Sequence, residues 1–164
     1  MKNYQKIQPE VIVGMGEKTK FLDQKPAIKT VLHLHIQLED WLGDDIMECH
    51  PCYLVTEKLK EGIERTSFSG FEFSELEMTK DEYFHDNYQL NAPLPKFYWL
   101  KIIGVINIDD LVVDLDSSLC ISDEFLSFLQ KNYTLNNLDI NPERNEFDDL
   151  LDKMIAESKQ NKDV

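Results

Sequence analysis

The sequence has no long hydrophobic segment and few cysteines. No apolar run approaches the roughly 18 residues that a membrane-spanning helix needs, and Met1–Gln5 leads into no hydrophobic stretch like that of a signal peptide. Three cysteines are an odd number, which argues against a disulfide framework and favours reduced thiols. We therefore expect a cytoplasmic protein that does not bind membranes.

Basic residues are also scarce. The 164-residue chain has 17 lysines and arginines against 31 acidic residues, which gives a formal net charge of −14 at pH 7. This excess of negative charge repels nucleic-acid phosphates and anionic lipid head groups, so direct binding to either is not expected. Apolar residues make up 42% and charged residues 29%, a balance typical of a globular protein, and the length predicts a single domain over residues 1–164.

Motifs for common enzyme chemistry are missing. The sequence contains neither the Gly-X-Ser-X-Gly of a nucleophile elbow nor a glycine-rich turn before Lys-Ser or Lys-Thr. Gly14 and Gly16 lack the third glycine and the following helix of a dinucleotide site. We therefore predict no catalytic residues, no cofactor and no enzymatic activity.

One pattern occurs twice, about 66 residues apart. The first copy has the acidic pair Asp44-Asp45, an apolar segment, and Thr56 ahead of a helical pattern; the second has Asp109-Asp110, an apolar segment, and Ser122 ahead of a helical pattern. In both, a strand delivers a hydroxyl to the N-cap of a helix, and an acid follows at the positive end of the helix dipole. Chance convergence on a common pattern is the alternative to duplication. The copies predict two similar strand–helix–strand units, at about residues 44–78 and 109–141.

Further strands are predicted by alternation and residue type. Val31–Leu38 alternates apolar residues, including Leu32, with polar ones, including His33 and His35, which is typical of a strand with one buried face. Phe97–Ile103 is aromatic and β-branched, which predicts a central strand. The fold class that follows is α+β, with a mixed sheet and helices packed against it.

Two more helices are predicted from local signals. Thr79 and Glu82 fit a capping box that opens a short helix. Apolar residues at helical spacing predict a C-terminal amphipathic helix at about residues 146–158, followed by a frayed tail over residues 159–164.

The segment Cys49-His50-Pro51-Cys52 has the Cys-X-X-Cys spacing of thioredoxin-like oxidoreductases. In those enzymes the first thiol ionises readily at a helix N-terminus and attacks a disulfide, and Pro93 lies where they place a proline opposite the dithiol. The sequence departs from that pattern because Tyr53–Val55 is typical of a strand, not of a helix start. A thiol-redox site at Cys49, His50 and Cys52 is therefore the alternative, and two ordinary cysteines are the simpler interpretation.

Cys49, His50 and Cys52 could also bind zinc together with His33 and His35. Structural zinc sites usually combine two close-spaced pairs, however, and alternating histidines are equally typical of a solvent-facing strand. We therefore predict no metal site and keep zinc as part of the alternative. Adjacent acids on a strand point to opposite faces, which favours a solvated surface over cation binding for each acidic pair.

Several segments together resemble a known family; they are Trp41, Asp44-Asp45, Leu54–Glu57, Tyr98–Leu100, Asp109-Asp110 and Ile121–Asp123. Over roughly residues 41–140 they resemble immunity proteins of bacterial polymorphic-toxin systems. The similar families are α+β proteins with a Tyr-aromatic-Leu strand, an acidic run, and a strand ending in Ser-Asp or Ser-Glu before a helix. The resemblance implies a cytoplasmic bacterial protein, not an enzyme, that binds and neutralises one cognate toxin.

The net charge of −14 independently suits a partner with a basic surface, such as a nuclease toxin. Acids at the ends of secondary-structure elements are expected to be exposed and to contact that partner, and an exposed aromatic residue is expected to anchor it. The predicted contact residues are Asp44, Asp45, Asp109, Asp110, Trp41 and Tyr53.

Overall fold

The computed structural model describes residues 1–22, 30–142 and 153–158. Over these residues the chain is a mixed α+β structure, which confirms the predicted fold class. None of the helices in these ranges is long and apolar enough to cross a membrane.

Seven short strands precede the first helix, and strands predominate in the rest of the described chain. The strands are β1 (Tyr4–Gln8), β2 (Val13–Met15), β3 (Lys20–Phe21), β4 (Val31–His33), β5 (His35–Leu38), β6 (Ile46–Cys49), β7 (Cys52–Thr56), β8 (Phe71–Ser74), β9 (Glu77–Lys80), β10 (Phe97–Ile102), β11 (Leu111–Val113), β12 (Leu119–Ser122) and β13 (Asp139–Ile140). The helices are α1 (Glu57–Glu64), α2 (Phe84–Asn87) and α3 (Asp123–Asn132), and residues 153–158 are also helical.

Two four-stranded antiparallel sheets form the frame of the molecule. Their strand orders are β6-β7-β10-β8 and β11-β12-β1-β13. β10 lies between β7 and β8, so the prediction of a central strand at Phe97–Ile103 is confirmed. A three-stranded sheet, β2-β5-β9, and the pair β3-β4 lie outside this frame. The strands predicted to share one mixed sheet are thus divided among several sheets.

The two four-stranded sheets are built alike. In the first unit the hairpin β6-β7 leads into α1, and in the second unit the hairpin β11-β12 leads into α3. Each hairpin pairs with a third strand, which places Phe97 of β10 opposite Thr56 and Tyr4 of β1 opposite Ser122. β1 precedes the first hairpin but pairs with the second, whereas β10 precedes the second hairpin but pairs with the first. The two units therefore exchange their third strands.

Both long helices begin at the predicted hydroxyl residues. The amide of Leu59 donates to Thr56 Oγ1 at 3.3 Å, and the amide of Phe125 donates to Ser122 Oγ at 3.2 Å. An acid follows each cap within the first turn, where it faces the positive end of the helix dipole. These contacts confirm both predicted helix starts.

The predicted strand at Val31–Leu38 is divided in two. β4 and β5 are separated at Leu34, and Leu32 is exposed instead of packed in the core. His35 is buried because it packs directly on Gly16, where a Cβ atom would lie 2.1 Å from the imidazole Nδ1. The alternation therefore predicts the buried positions Leu34, Ile36 and Leu38 correctly, but it is wrong for Leu32.

The capping box predicted at Thr79 is wrong. Thr79 belongs to β9, which pairs with β5, and α2 begins later, at Phe84, without a side-chain cap. Strand pairing with β5 supplies the backbone partners that the predicted helix would have supplied. Of the predicted C-terminal helix, residues 153–158 are helical, while residues 143–152 and the predicted tail 159–164 lie outside the described residues.

Two hydrophobic clusters fill the interior. The first joins both four-stranded sheets with α1 and α3, and its buried members include Ile7, Tyr53, Leu100, Ile121 and Phe125. The second lies on the other face of the sheet of the first unit, under β2, β5 and α2, and its buried members include Ile36, Met47, Leu54, Phe84 and Trp99.

Candidate functional site

The second acid of each predicted pair binds the hydroxyl that caps the following helix. Thr56 Oγ1 donates to Asp45 Oδ1 and Ser122 Oγ donates to Asp110 Oδ1, both at 2.8 Å. The backbone amides of Thr56 and Ser122 donate to the carbonyl oxygens of the same two acids. Each acid therefore fixes the start of a helix from the opposite side of its hairpin.

The remaining oxygen of each carboxylate reaches the other unit. Asp45 Oδ2 accepts from the amide of Thr134, which follows α3, at 2.9 Å. Asp110 Oδ2 accepts from the amide of Ser69, which follows α1, at 3.1 Å. The amides of Asp45 and Asp110 return the contact to the carbonyl oxygens of Thr134 and Ser69, both at 3.0 Å. These acids thus join the two units to each other.

The first acid of each pair has a different environment in each unit. Asp44 is 1% exposed and accepts hydrogen bonds from the amides of Asn136 and Asn137 and from the Asn137 side chain. Asp109 is half-buried, and its Oδ2 accepts from the amide of Val105 at 2.7 Å. Asp44 therefore binds the segment that follows α3, whereas Asp109 stabilises the turn that immediately precedes Asp109 itself.

The expectation that the acidic pairs are exposed is wrong for Asp44, Asp45 and Asp110. Their oxygens are occupied by donors of the chain itself, because the exchange of strands brings residues from distant parts of the sequence against them. Asp109 is partly accessible. The acids that sequence reasoning placed in the partner interface are, with this one exception, internal structural groups.

The pKa values of Asp44, in the first unit, and Asp110, in the second unit, are shifted in opposite directions. Burial raises the pKa of Asp44 above its ordinary value, although hydrogen bonds from Asn137 and Asn136 oppose that effect. Burial also acts to raise the pKa of Asp110, but hydrogen bonds from Ser122 and Lys2 outweigh it and leave that pKa below its ordinary value. Lys2 Nζ lies 3.1 Å from Asp110 Oδ1.

Glu10 has an unusual carboxyl group that sequence reasoning did not identify. Its Oε2 is buried without a hydrogen-bond partner among the described residues. Burial, together with the nearby charges of Asp44 and Asp40, raises the pKa of Glu10 to about 7. Nothing in the local sequence distinguishes this glutamate from a surface residue, because both acids that perturb it lie more than one element away along the chain.

The predicted aromatic anchors are not free surface residues. Tyr53 is 1% exposed, and its hydroxyl donates to the carbonyl oxygen of Ser117 at 2.7 Å, so its predicted exposure is wrong. Burial raises the pKa of Tyr53 well above its ordinary value. Trp41 is half-buried; its indole N–H donates to the Asp44 carbonyl at 3.0 Å, and its ring packs edge-on against Phe97. Both residues hold the fold together.

Cys49 and Cys52 lie opposite each other at the end of the β6-β7 hairpin, with His50 in the turn. Both thiols are free and 4% exposed. Burial raises the pKa of Cys49 to about 11 and that of Cys52 to about 12. A redox thiol needs the opposite shift, usually from a helix N-terminus, and here the nearest helix begins only after Thr56. The geometry gives no support to the thiol-redox alternative.

The histidines considered as zinc ligands are engaged elsewhere. His33 Nε2 lies 2.7 Å from Glu77 Oε1, and His35 Nε2 lies 2.9 Å from Thr79 Oγ1. His50 is exposed, with its Nδ1 3.7 Å from Glu48 Oε1. Across the ranges that the structure describes, no three histidine, cysteine or acidic side chains are grouped so that they could hold a metal ion.

Sequence reasoning also missed a cluster of exposed aliphatic side chains after β10. The segment of residues 103–108, called the aliphatic turn below, contains Ile103, Val105, Ile106 and Ile108, and each is more than half exposed. The run of branched residues around Gly104 was visible in the sequence, but it continues the hydrophobic pattern of β10. The sequence therefore does not show where β10 ends and the turn begins.

A comparison of the chain with protein-family models, curated proteins and solved structures found no match.

Proposed function

We propose that the chain is a non-enzymatic protein-binding module, an immunity protein that neutralises a cognate toxin with a basic surface in the bacterial cytoplasm. The observation that carries this proposal is the surplus of carboxylates on the surface. In the described ranges the buried acids are Asp44, Asp45, Glu48 and Asp110, and the other acids face solvent at least partly. Most of the acids that give the chain its net charge of −14 are therefore available to attract a partner.

Both long helices add to this acidic surface. Glu57, Glu61 and Glu64 are exposed on α1, and Glu124 is exposed at the start of α3. Lys60 forms an ion pair with Glu64 and also interacts electrostatically with Glu61, and Lys2 interacts electrostatically with Glu124. Neither Glu61 nor Glu124 forms a direct ion pair with another described residue. Exposed carboxylates steer a positively charged protein toward the surface and raise its association rate.

The buried acids limit where on the surface the interface can lie. Asp44, Asp45 and Asp110 are saturated by internal donors, so they have little capacity left for a partner. The resemblance of roughly residues 41–140 to immunity proteins rests partly on these acids. In this chain the same acids stabilise the two-unit frame. Binding is therefore assigned to exposed groups instead.

The test first looks for a toxin gene directly upstream of the gene for this chain and then uses the toxin domain that it encodes, purified as an inactive variant. We expect the association rate to fall about tenfold or more from low to high ionic strength, while the dissociation rate changes much less. Stopped-flow fluorescence with the intrinsic tryptophans as the signal measures both rates. A rate that is independent of salt, or no binding to that domain, would contradict the proposal.

The thiol alternative has its own test. We expect Cys49→Ser with Cys52→Ser to leave partner binding unchanged, because both thiols are buried and resist ionisation. Cys120→Ser, at a half-buried thiol in the second unit, is the matched control. Loss of toxin neutralisation by the double variant, with its circular dichroism spectrum intact, would favour a thiol function. Stoichiometric zinc in the purified protein would favour a metal function.

A further inference from the structure

The aliphatic turn exposes an unusual amount of apolar surface for so short a segment. The exposed fractions are 57% for Ile103, 56% for Val105, 64% for Ile106 and 69% for Ile108. Isolated exposed aliphatic residues are common on proteins, but a contiguous group of them is typical of an interaction surface.

The backbone of this turn is held in one conformation by internal hydrogen bonds. The amides of Ile108 and Asp109 donate to the carbonyl oxygen of Val105, and the amide of Val105 donates to Asp109 Oδ2. The hydroxyl of Tyr4 donates to the Asp109 carbonyl at 2.7 Å and accepts from the amide of Asn107 at 2.8 Å. The aliphatic side chains are thus presented by a preorganised turn, which lowers the entropic cost of docking.

Two glycines fix the base of the turn against the second unit. A Cβ atom at Gly104 would lie 1.9 Å from the carbonyl oxygen of Leu111 and 3.0 Å from the Cα of Gly70. Gly70 has a φ of +103°, which a side chain would strain, and its carbonyl accepts from the amide of Ile103 at 2.8 Å. This close backbone approach allows no side chain at Gly70 or Gly104 and holds the base of the turn against β11.

The two units differ in the segment that precedes their hairpins. Residues 9–43 lie between β1 and Asp44, and the described strands β2 and β5 of this range pack on the outer face of the first unit's sheet. Between β10 and Asp109, the second unit has only the six residues of the aliphatic turn, 103–108. Among the residues that the structure describes, the frame is therefore covered on the side of the first unit and left uncovered at the aliphatic turn.

Charge around the turn indicates what covers it. Asp109 closes the turn, and Tyr4 connects the turn to the start of α3, where the amide of Asp123 donates to the carbonyl of Asn3. Glu124 is exposed one residue further on. Lys2 also lies near this surface, where it pairs with Asp110 and interacts electrostatically with Glu124. The acids outnumber it, so a second copy of this chain would bring mainly carboxylates against carboxylates, whereas a partner with lysines or arginines would meet opposite charges.

We propose that the aliphatic turn inserts into an apolar pocket of the toxin, with basic residues at the pocket rim facing Asp109, Asp123 and Glu124. This assignment rests on the proposed function and places its interface. Apolar side chains at the centre supply most of the affinity in such an interface, and the surrounding charges mainly set the rate of encounter.

The test compares Ile106→Asp and Ile108→Asp with Leu115→Asp, a matched control at an aliphatic residue that is 97% exposed on the other end of β11. Binding to the inactive upstream toxin domain is measured by calorimetry. We expect each turn variant to weaken binding by about a hundredfold or more and the control by less than about threefold. Thermal unfolding verifies that all three variants are folded.

A second pair of variants tests the rim. Glu124→Lys should slow association about threefold or more, and Asp116→Lys, at an exposed acid next to Leu115, should change it less. If the toxin binds wild type and turn variants equally, the docking site is wrong and the proposed function stands. If wild type binds no toxin, the proposed function fails and the docking site with it. If sedimentation shows a wild-type dimer that Ile106→Asp dissociates, the turn is a self-association surface and the proposal is overturned.

Discussion

The two units share one internal arrangement but present different outer faces. In both, a buried acid holds the helix-capping hydroxyl and the segment that follows the other helix. On the outer face of the first unit, Trp99 lies opposite Leu54; at the same register in the second unit, Lys6 lies opposite Cys120. Lys6 extends across its sheet to Asp114, with Nζ 3.1 Å from Oδ2. The apolar pair is covered by β2 and β5, and the polar pair is not.

Different residues therefore determine the internal contacts of the two units and the chemistry of their outer faces. The contacts of Asp45 and Asp110 depend on residues that face inward or lie at element ends, so they are the same in both units. The outer faces are free to differ because no inward contact depends on them. Substitutions at the acids and capping hydroxyls that the units have in common should therefore change stability most, and substitutions at groups that differ between the units should change it less.

The largest effect is expected from the shared acids. Asp45→Ala would leave the Thr56 hydroxyl and the Thr134 amide without their acceptor, and we expect a loss of about 3 kcal/mol in the free energy of unfolding. Asp110→Ala removes the equivalent contacts and should cost about 2 kcal/mol, because Asp110 lies beside the more accessible Lys2. Urea denaturation measures both.

Asp116→Ala is the control for this prediction, since Asp116 is exposed and should change stability by less than about 0.5 kcal/mol. Equal stability of Asp45→Ala and the control would show that the buried contacts contribute nothing.

The capping hydroxyls should give the next effect. Thr56→Ala and Ser122→Ala each remove an N-cap and a donor to a buried acid, and each should lower the free energy of unfolding by about 1–2 kcal/mol. The exchanges Thr56→Ser and Ser122→Thr keep the hydroxyl and should cost clearly less. A double-mutant cycle of Asp45→Ala with Thr56→Ala should show coupling, whereas Asp45→Ala with Ser122→Ala should be additive.

The smallest effect concerns pH and distinguishes the units. Because the pKa of Glu10 is raised to about 7 in the folded state, the folded protein binds more protons than the unfolded chain between about pH 4.5 and 7. This contribution to stability is therefore full below about pH 4.5 and is lost as pH rises through 7. The lowered pKa of Asp110 acts in the opposite sense, and its contribution is lost only as pH falls below the ordinary range of an aspartate.

Glu10→Gln removes the titrating carboxyl group and with it the pH-dependent contribution of Glu10 to stability. At pH 8 the variant should be more stable than wild type by about 1 kcal/mol, a value reduced for solvent screening because Glu10 is only half-buried, and near pH 4.5 the difference should vanish. Melting temperatures across this pH range measure it. A constant difference at every pH would show that Glu10 does not titrate in the predicted window.

The sequence could predict what depends on neighbouring residues. Both helix starts follow from a hydroxyl, the acid after it and the apolar spacing beyond, all within a few residues of Thr56 and Ser122. The burial of Asp45 could not be predicted, because its second donor, Thr134, comes from the far end of the chain. The same holds for His35, whose burial depends on Gly16. An acid on the surface and an acid with distant internal donors look alike in sequence.

The exchange of third strands constrains the order in which the protein can assemble during its synthesis. The first hairpin emerges from the ribosome before β10, so its sheet stays incomplete until β10 has been made, more than 40 residues after the hairpin. β1 is made first but must wait for β12, close to the end of the described chain. Contacts between such distant residues form slowly, and open strand edges persist meanwhile. Neither half of the chain can complete a four-stranded sheet alone. We therefore expect the nascent protein to depend on protection from aggregation until α3 has been made.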